Sequence, residues 1–138
     1  MSNQIYTDIY QGLLDKLNTG VGLPAITVED NRDHKTKKFS EKSMAVFLLP
    51  AETNTLTLGS SVIRSYNGIF QIDFKVPGRT GVDVLYTYAD IINILFKPYQ
   101  ILTKNDIKIH IVNVNINNII TDSSWTVLPT TIFWRVDE

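Results

Sequence analysis

Hydrophobic spacing divides the chain into two helical stretches separated by strand-like ones. Ile5, Ile9, Leu13 and Leu17 recur at every fourth position with Tyr6 and Tyr10 beside them, which predicts an amphipathic helix over residues 3–18. Asn18-Thr19-Gly20 and Gly22 stop it. Ala25 to Val28 is a short strand candidate. Met44 to Leu49 is an unbroken apolar run ending at Pro50, the pattern of a strand covered on both faces. The polar stretch 51–61 reads as a loop with room for a short strand at Leu56-Thr57-Leu58. Val62 to Tyr66 suggests a further short strand. Asn67-Gly68 follows it, a favoured type I′ turn pair because both central positions need positive φ; the alternative is a bulge within one longer strand.

The cleanest alternation comes next. Phe70, Ile72, Phe74 and Val76 point one way, and Gln71, Asp73 and Lys75 the other, which predicts one buried and one wet face. Pro77-Gly78-Arg79-Thr80-Gly81 is a turn into a helix over 82–96. Val82, Leu85, Ala89, Ile92 and Phe96 form its stripe, widened by Ile91 and Leu95. Asp83 in the first turn and Lys97 at the end suit the helix dipole, and Pro98 forbids continuation. Two strands close the chain. Ile107, Ile109 and Ile111 share one phase, then Val112, Val114 and Ile116 share the other, so a β-bulge is expected at the flip. A polar turn around 121–124 leads to a last strand over 125–136, with Leu128, Ile132, Trp134 and Val136 on one face. Pro129 places part of that strand at an edge or bulge. The order predicts an α+β fold: a mainly antiparallel sheet, two helices packed on one face, and long exposed loops, in a single domain over residues 1–138.

Composition narrows the function classes. With 13 basic against 14 acidic residues, the chain lacks the positive excess that drives nucleic-acid binding. The absence of cysteine excludes disulfides and thiolate chemistry. MSNQIYTDIYQ has neither a basic region nor an apolar core, so no signal peptide is expected, and no apolar run reaches the ~18 residues of a membrane span. Residues 29–43 stand apart: nine of these fifteen are Asp, Glu, Lys or Arg, which predicts a long exposed loop.

Catalytic equipment is not apparent. His34 and His110 lie on unrelated elements without metal spacing. Asp73 has no second acid at a defined spacing and reads as a polar residue on a wet strand face. Gly78-Arg79-Thr80-Gly81 lacks both phosphate-loop patterns, and a tight strand-to-helix turn explains its glycines. The Lys35-Thr36-Lys37-Lys38 cluster is diluted by Glu29, Asp30, Asp33 and Glu41 and reads as a solvated loop. No enzyme activity and no cofactor are expected.

The central stretch does carry a pattern: Leu49-Pro50-Ala51, a polar loop to Leu58-Gly59, Asn67-Gly68-Ile69-Phe70-Gln71-Ile72-Asp73-Phe74, then Pro77-Gly78-Arg79-Thr80-Gly81 and an apolar helix closing on Phe96. In order and spacing this resembles the tail terminator proteins of long-tailed bacteriophages, which end on a Trp-containing strand, here Trp125 to Trp134. The similarity is good over 44–97 and looser over 1–18 and 107–136. Residues 29–43 depart from the family's Asn-x-Pro-Phe-like segment, having Asn31 and Phe39 but no proline. The resemblance implies a virion protein that forms a ring, typically a hexamer, at the head-proximal end of the tail tube. Such a ring ends tube growth and presents the joining surface for the head. Its implied partners are further copies of itself, the tail tube protein and the head-completion or connector protein. No membrane and no specific nucleic-acid binding are implied, although the genome would pass through the ring. Assembly surfaces are expected at Arg32, Asp33, Lys35, Lys37 and Lys38 of the charged loop, at Gln71, Asp73 and Lys75 of the wet strand face, and at Arg79. The competing readings are another phage neck or tail component, a small-ligand-binding domain, or a nucleic-acid-binding module.

Overall fold

Among the described residues ten elements follow one another: α1 (Ile5–Leu17), β1 (Ile26–Glu29), β2 (Ser43–Pro50), β3 (Asn54–Leu58), β4 (Ser61–Pro77), α2 (Val82–Leu95), β5 (Ile101–Lys104), β6 (Ile107–Ile116), β7 (Ile120–Thr121) and β8 (Trp125–Asp137). The structure, a computed structural model, describes residues 4–24, 26–29, 42–51, 53–58, 61–78, 81–121 and 125–137. Most of the predicted loop over 29–43 therefore lies outside the described residues. Its two ends belong to strands, since Glu29 closes β1 and Ser43 opens β2, where Ser43 is buried.

The eight strands form one sheet in the order β1-β2-β4-β8-β6-β5, with β3 beside β4 and β7 beside β8. Every pairing is antiparallel except β1 with β2. A parallel pair needs a connection of about a dozen residues or more, which residues 30–42 supply.

β4 is the longest strand, and the sheet is built around it. One flank pairs with β8 from Ser65↔Asp137 to Pro77↔Trp125 without a register shift. The other flank pairs first with β3 and then with β2. The expected turn at Asn67-Gly68 is absent, and so is the alternative bulge: both residues sit mid-strand, opposite Arg135 and Trp134. Gly68 is needed for another reason. A Cβ there would stand 2.5 Å from the Leu49 carbonyl oxygen, 2.8 Å from the Pro50 Cα and 2.9 Å from Trp134 Cζ2. Only glycine lets β2 and the indole close over this point.

The type I′ geometry occurs instead between β5 and β6. Asn105 and Asp106 both have positive φ, 50° and 69°, and form the two-residue connection of a hairpin. The Asn105 side-chain amide donates to the buried Asp8 carboxylate at 3.0 Å, and Lys104 Nζ meets Asp15 at 3.0 Å. These contacts fasten α1 to the hairpin.

One face of the sheet carries the core. Phe70, Ile72, Phe74 and Val76 of β4 are buried as their alternation predicts, with Leu128, Ile132, Trp134 and Val136 of β8 beside them. Both helices cover this face, α1 over β5 and β6 and α2 over β4 and β8. Ile9, Leu13, Leu17, Leu85, Ile92 and Phe96 are the helical contribution to the core, and Tyr88 stacks at a tilt on Phe74 with ring centroids 5.2 Å apart. Val82, assigned to the buried stripe by spacing, is instead exposed at the helix start.

The bulge expected in β6 is present, as a register shift between Ile111 and Asn113 against β8. Pro129 is paired with Asp73 on its β4 flank, and on the other flank it falls between the last β6 pair at Thr130 and the first β7 pair at Val127, so the expected edge is a local one. Its carbonyl accepts from the Asn117 amide at 3.0 Å, just beyond the end of β6. In an antiparallel strand a residue's N–H and C=O point the same way, so the donor that proline lacks would have faced the gap between β6 and β7.

The close approach at Gly68 and the burial of Tyr88 can each be measured. Gly68→Ala forces backbone against backbone and is expected to cost about 3 kcal/mol in urea unfolding, at the upper end of ordinary overpacking. Burial raises the Tyr88 phenol above its ordinary value of 10.0. The unfolded chain then ionises first as pH climbs. The stability from keeping Tyr88 protonated is whole below pH ~10 and is lost as pH rises toward the folded-state value. Tyr88→Phe should flatten that alkaline decline and change stability little at pH 7.

Candidate functional site

The face of the sheet opposite the helices is where the structure places the wet-face residues. On β4, Ile69, Gln71, Asp73 and Lys75 point away from the buried set. Cross-strand register lays out rows of neighbours. Leu49, Ile69, Phe133 and Asn113 form one row across β2, β4, β8 and β6. Phe47, Gln71, Thr131 and Asn115 form the next, followed by Ala45, Asp73 and Pro129, and then Ser43, Lys75 and Val127.

This face is less wet than alternation predicts. Gln71, Asp73 and Lys75 are half-buried, Ser43, Ala45 and Thr131 on the same face are buried, and Phe47, Ile69 and Phe133 add half-buried apolar side chains to it. A hydrogen-bonded ladder runs from the residue just beyond β6 across β8 to β4. Asn117 Nδ2 donates to Thr131 Oγ1 at 3.1 Å, Thr131 Oγ1 donates to Gln71 Oε1 at 3.3 Å, and Gln71 Nε2 donates to Asp73 Oδ1 at 2.9 Å. Lys75 makes no hydrogen bond or ion pair among the described residues. The structure thus brings Gln71, Asp73 and Lys75 together on one surface. Arg32, Asp33, Lys35, Lys37, Lys38 and Arg79 lie outside the described residues.

Sequence reasoning missed the apolar members of this surface. Phe47 is hidden in a continuous apolar run, and Ile69 and Phe133 each adjoin a residue of the opposite face that is equally apolar. Adjacent apolar pairs such as Ile69-Phe70 and Ile132-Phe133 are the available signal that both faces of a strand meet something.

A second feature lies on the same face, toward the other end of β8. Tyr99, His110, Ile111, Val112 and Arg135 line a shallow groove of about 230 Å³. His110 and Arg135 are direct cross-strand neighbours, and Arg135 Nε meets Asp137 at 3.1 Å. The groove brings a histidine, a tyrosine and a guanidinium together, with no serine, threonine or carboxylate among its lining residues. Among the described residues no group of three or more His, Asp or Glu is placed to hold a metal ion, and no helix is long and apolar enough to cross a membrane. What the surface offers is recognition: apolar side chains, a pre-formed polar ladder and isolated charges.

No curated protein matches the sequence. A solved structure whose name indicates no activity shares the fold at a TM-score of 0.72 and 18% identity, covering 99% of this chain and 96% of its own. The model describing the phage tail terminator protein family matches residues 8–134, from the first turn of α1 to Trp134 of β8. That span takes in both helices and nearly all of the sheet, and the chain belongs to the phage tail terminator family, a structural component of the phage tail.

Proposed function

We propose that this chain forms a ring at the head-proximal end of the tail tube, stops tube polymerisation there and provides the surface to which the head is joined. The observation that carries this reading is the family match across residues 8–134. The rest of the mechanism is interfacial. A subunit of this kind acts by occupying the growing end and by offering different side chains from those the next tube ring would need. Its partners are further copies of itself, the tube protein and the head-completion protein, with the genome passing through the ring. The charged segment with Arg32, Asp33, Lys35, Lys37 and Lys38, together with Arg79, serves contacts to a neighbour or to the tube.

The helix-free sheet face supplies a further contact surface through Gln71, Asp73 and Lys75. Its composition supports that role: Phe47, Ile69 and Phe133 supply apolar area, and the polar side chains of the ladder are already bonded to one another. Electron microscopy of the purified protein, alone and mixed with tail tubes, tests the reading. Closed rings, or a cap at one tube end, are the expected result. A protein that stays monomeric and ignores tube ends defeats it. Asp73→Arg, at a half-buried position on this face, is expected to leave the melting temperature within a few degrees and to weaken tube capping at least tenfold. Unchanged capping by the folded variant removes the sheet face from the contact surface.

A further inference from the structure

Tyr99 combines three properties that rarely coincide. It is 93% exposed, it is a bulky residue at φ 70°, and its backbone is fixed on a sheet strand. Its N–H donates to the Ile111 carbonyl at 2.8 Å, and the Ile111 N–H donates to the adjoining Gln100 carbonyl at 2.8 Å. The loop is closed further by Gln100 N–H to the Lys97 carbonyl at 3.1 Å. A strained, tied-down backbone that displays a whole tyrosine to solvent is pre-organised for a partner, because little order remains to be imposed on binding. Around it, Val112 and Ile101 are about half exposed, and Arg135 contributes a guanidinium whose bridge to Asp137 uses Nε. No second carboxylate pairs with it among the described residues. Lys108 is exposed two positions along β6 from His110, on the same side of the sheet. Aromatic and arginine side chains in an apolar surround are the usual anchors of protein interfaces.

A complementary surface lies on the opposite side of the same molecule. The solvent side of α2 exposes Val82, Tyr86 and Ile94, interspersed with Asp83 and Asp90. At ~100° per residue these five occupy a single stripe about 120° wide. The helix has no basic residue, and neither carboxylate forms an ion pair among the described residues. One surface is apolar with cations and the other apolar with carboxylates. They sit on opposite layers, since α2 covers the core face of the sheet while His110 and Arg135 lie on the outer face.

We infer that the Tyr99–Val112–Arg135 groove of one subunit receives the α2 stripe of a second copy of this chain. Two different patches meeting in this way make a heterologous contact, which repeats head to tail and closes into a ring when the rotation permits. A self-complementary patch would stop at a dimer. This inference rests on the ring proposed above and specifies which surfaces hold it together.

A mixing experiment separates the possibilities. Tyr99→Gly combined with Arg135→Glu disables the groove, and glycine at that position relieves positive-φ strain rather than adding to it. Tyr86→Ala combined with Asp90→Lys disables the stripe with residues that favour helices. Circular dichroism and thermal melting establish that both variants are folded. Assembly is then read by mass photometry in solution and by microscopy at tube ends. Each variant alone is expected to lose ring formation, with self-association weakened at least tenfold. Mixed in equal amounts they should yield heterodimers and nothing larger, because each pair retains one intact groove and one intact stripe. Wild-type-like rings from either folded variant overturn this interface and leave the ring reading standing. A mixture that forms no heterodimer also overturns it. A wild type that never assembles, in solution or at tube ends, defeats the ring reading itself.

Discussion

The uninterrupted ladder between β4 and β8 is the constraint on which the rest depends. From Ser65↔Asp137 to Pro77↔Trp125 the two strands stay in register, and this fixes which side chains share a face along the whole width of the sheet. A slip of one residue would turn Phe70, Ile72, Phe74 and Val76 out of the core and Gln71, Asp73 and Lys75 into it. The Gly68–Trp134 contact pins the register at one position. The indole lies over a backbone that has no side chain, with β2 close on its other flank, and no neighbouring residue of β4 could substitute there. Both helices then dock on a surface whose shape is already set. The remaining strands attach on either side, β2 and β3 through β4, β6 and β7 through β8.

Much of this order is legible in the sequence where a single period dominates. The alternation in 70–76 and, Val82 apart, the helical spacing in 82–96 give correct elements and correct core faces, because each segment meets the helix-covered core on one side only. The phase flip at Ile111-Val112 gives the bulge for the same reason. The failures fall where two principles compete. Asn67-Gly68 has the chemistry of a tight turn, but glycine also serves close approach, and long-range packing against Trp134 decides between them. Asn105-Asp106, without a glycine, makes the real I′ hairpin, aided by the Asp8 carboxylate from a helix almost a hundred residues away in the chain. Pro129 marks a true but local edge, signalled only by its own missing donor. Whether that donor matters depends on where β6 ends, which is a property of another segment.

The candidate surfaces are legible in a more limited sense. Gln71, Asp73 and Lys75 fall on one face by parity alone. The residues that make this face more than a solvated one, Phe47, Ile69 and Phe133, are apolar in a way that local pattern assigns to the core. Tyr99 cannot be singled out from sequence, because its backbone angle and its tether to β6 exist only in the folded chain.

The polar ladder on the helix-free face bears on how a structural subunit remains soluble and still docks. A protein surface that will be covered must give up its bonds to water, and each polar group left unmatched after docking costs about 1–3 kcal/mol. Asn117, Thr131, Gln71 and Asp73 are already bonded to one another across β6's end, β8 and β4. A partner that covers them needs to replace fewer water contacts than it would over four isolated side chains. Leu49, Ile69 and Phe133 are direct cross-strand neighbours, and the polar row beside them limits how far this apolar area extends. The arrangement thus trades some apolar area for selectivity. A surface with part of its polar demand already met and a bounded apolar row favours a partner that matches that row in position. In the proposed role this chain would compete with tube subunits for the same growing end, and its contact would need that kind of discrimination.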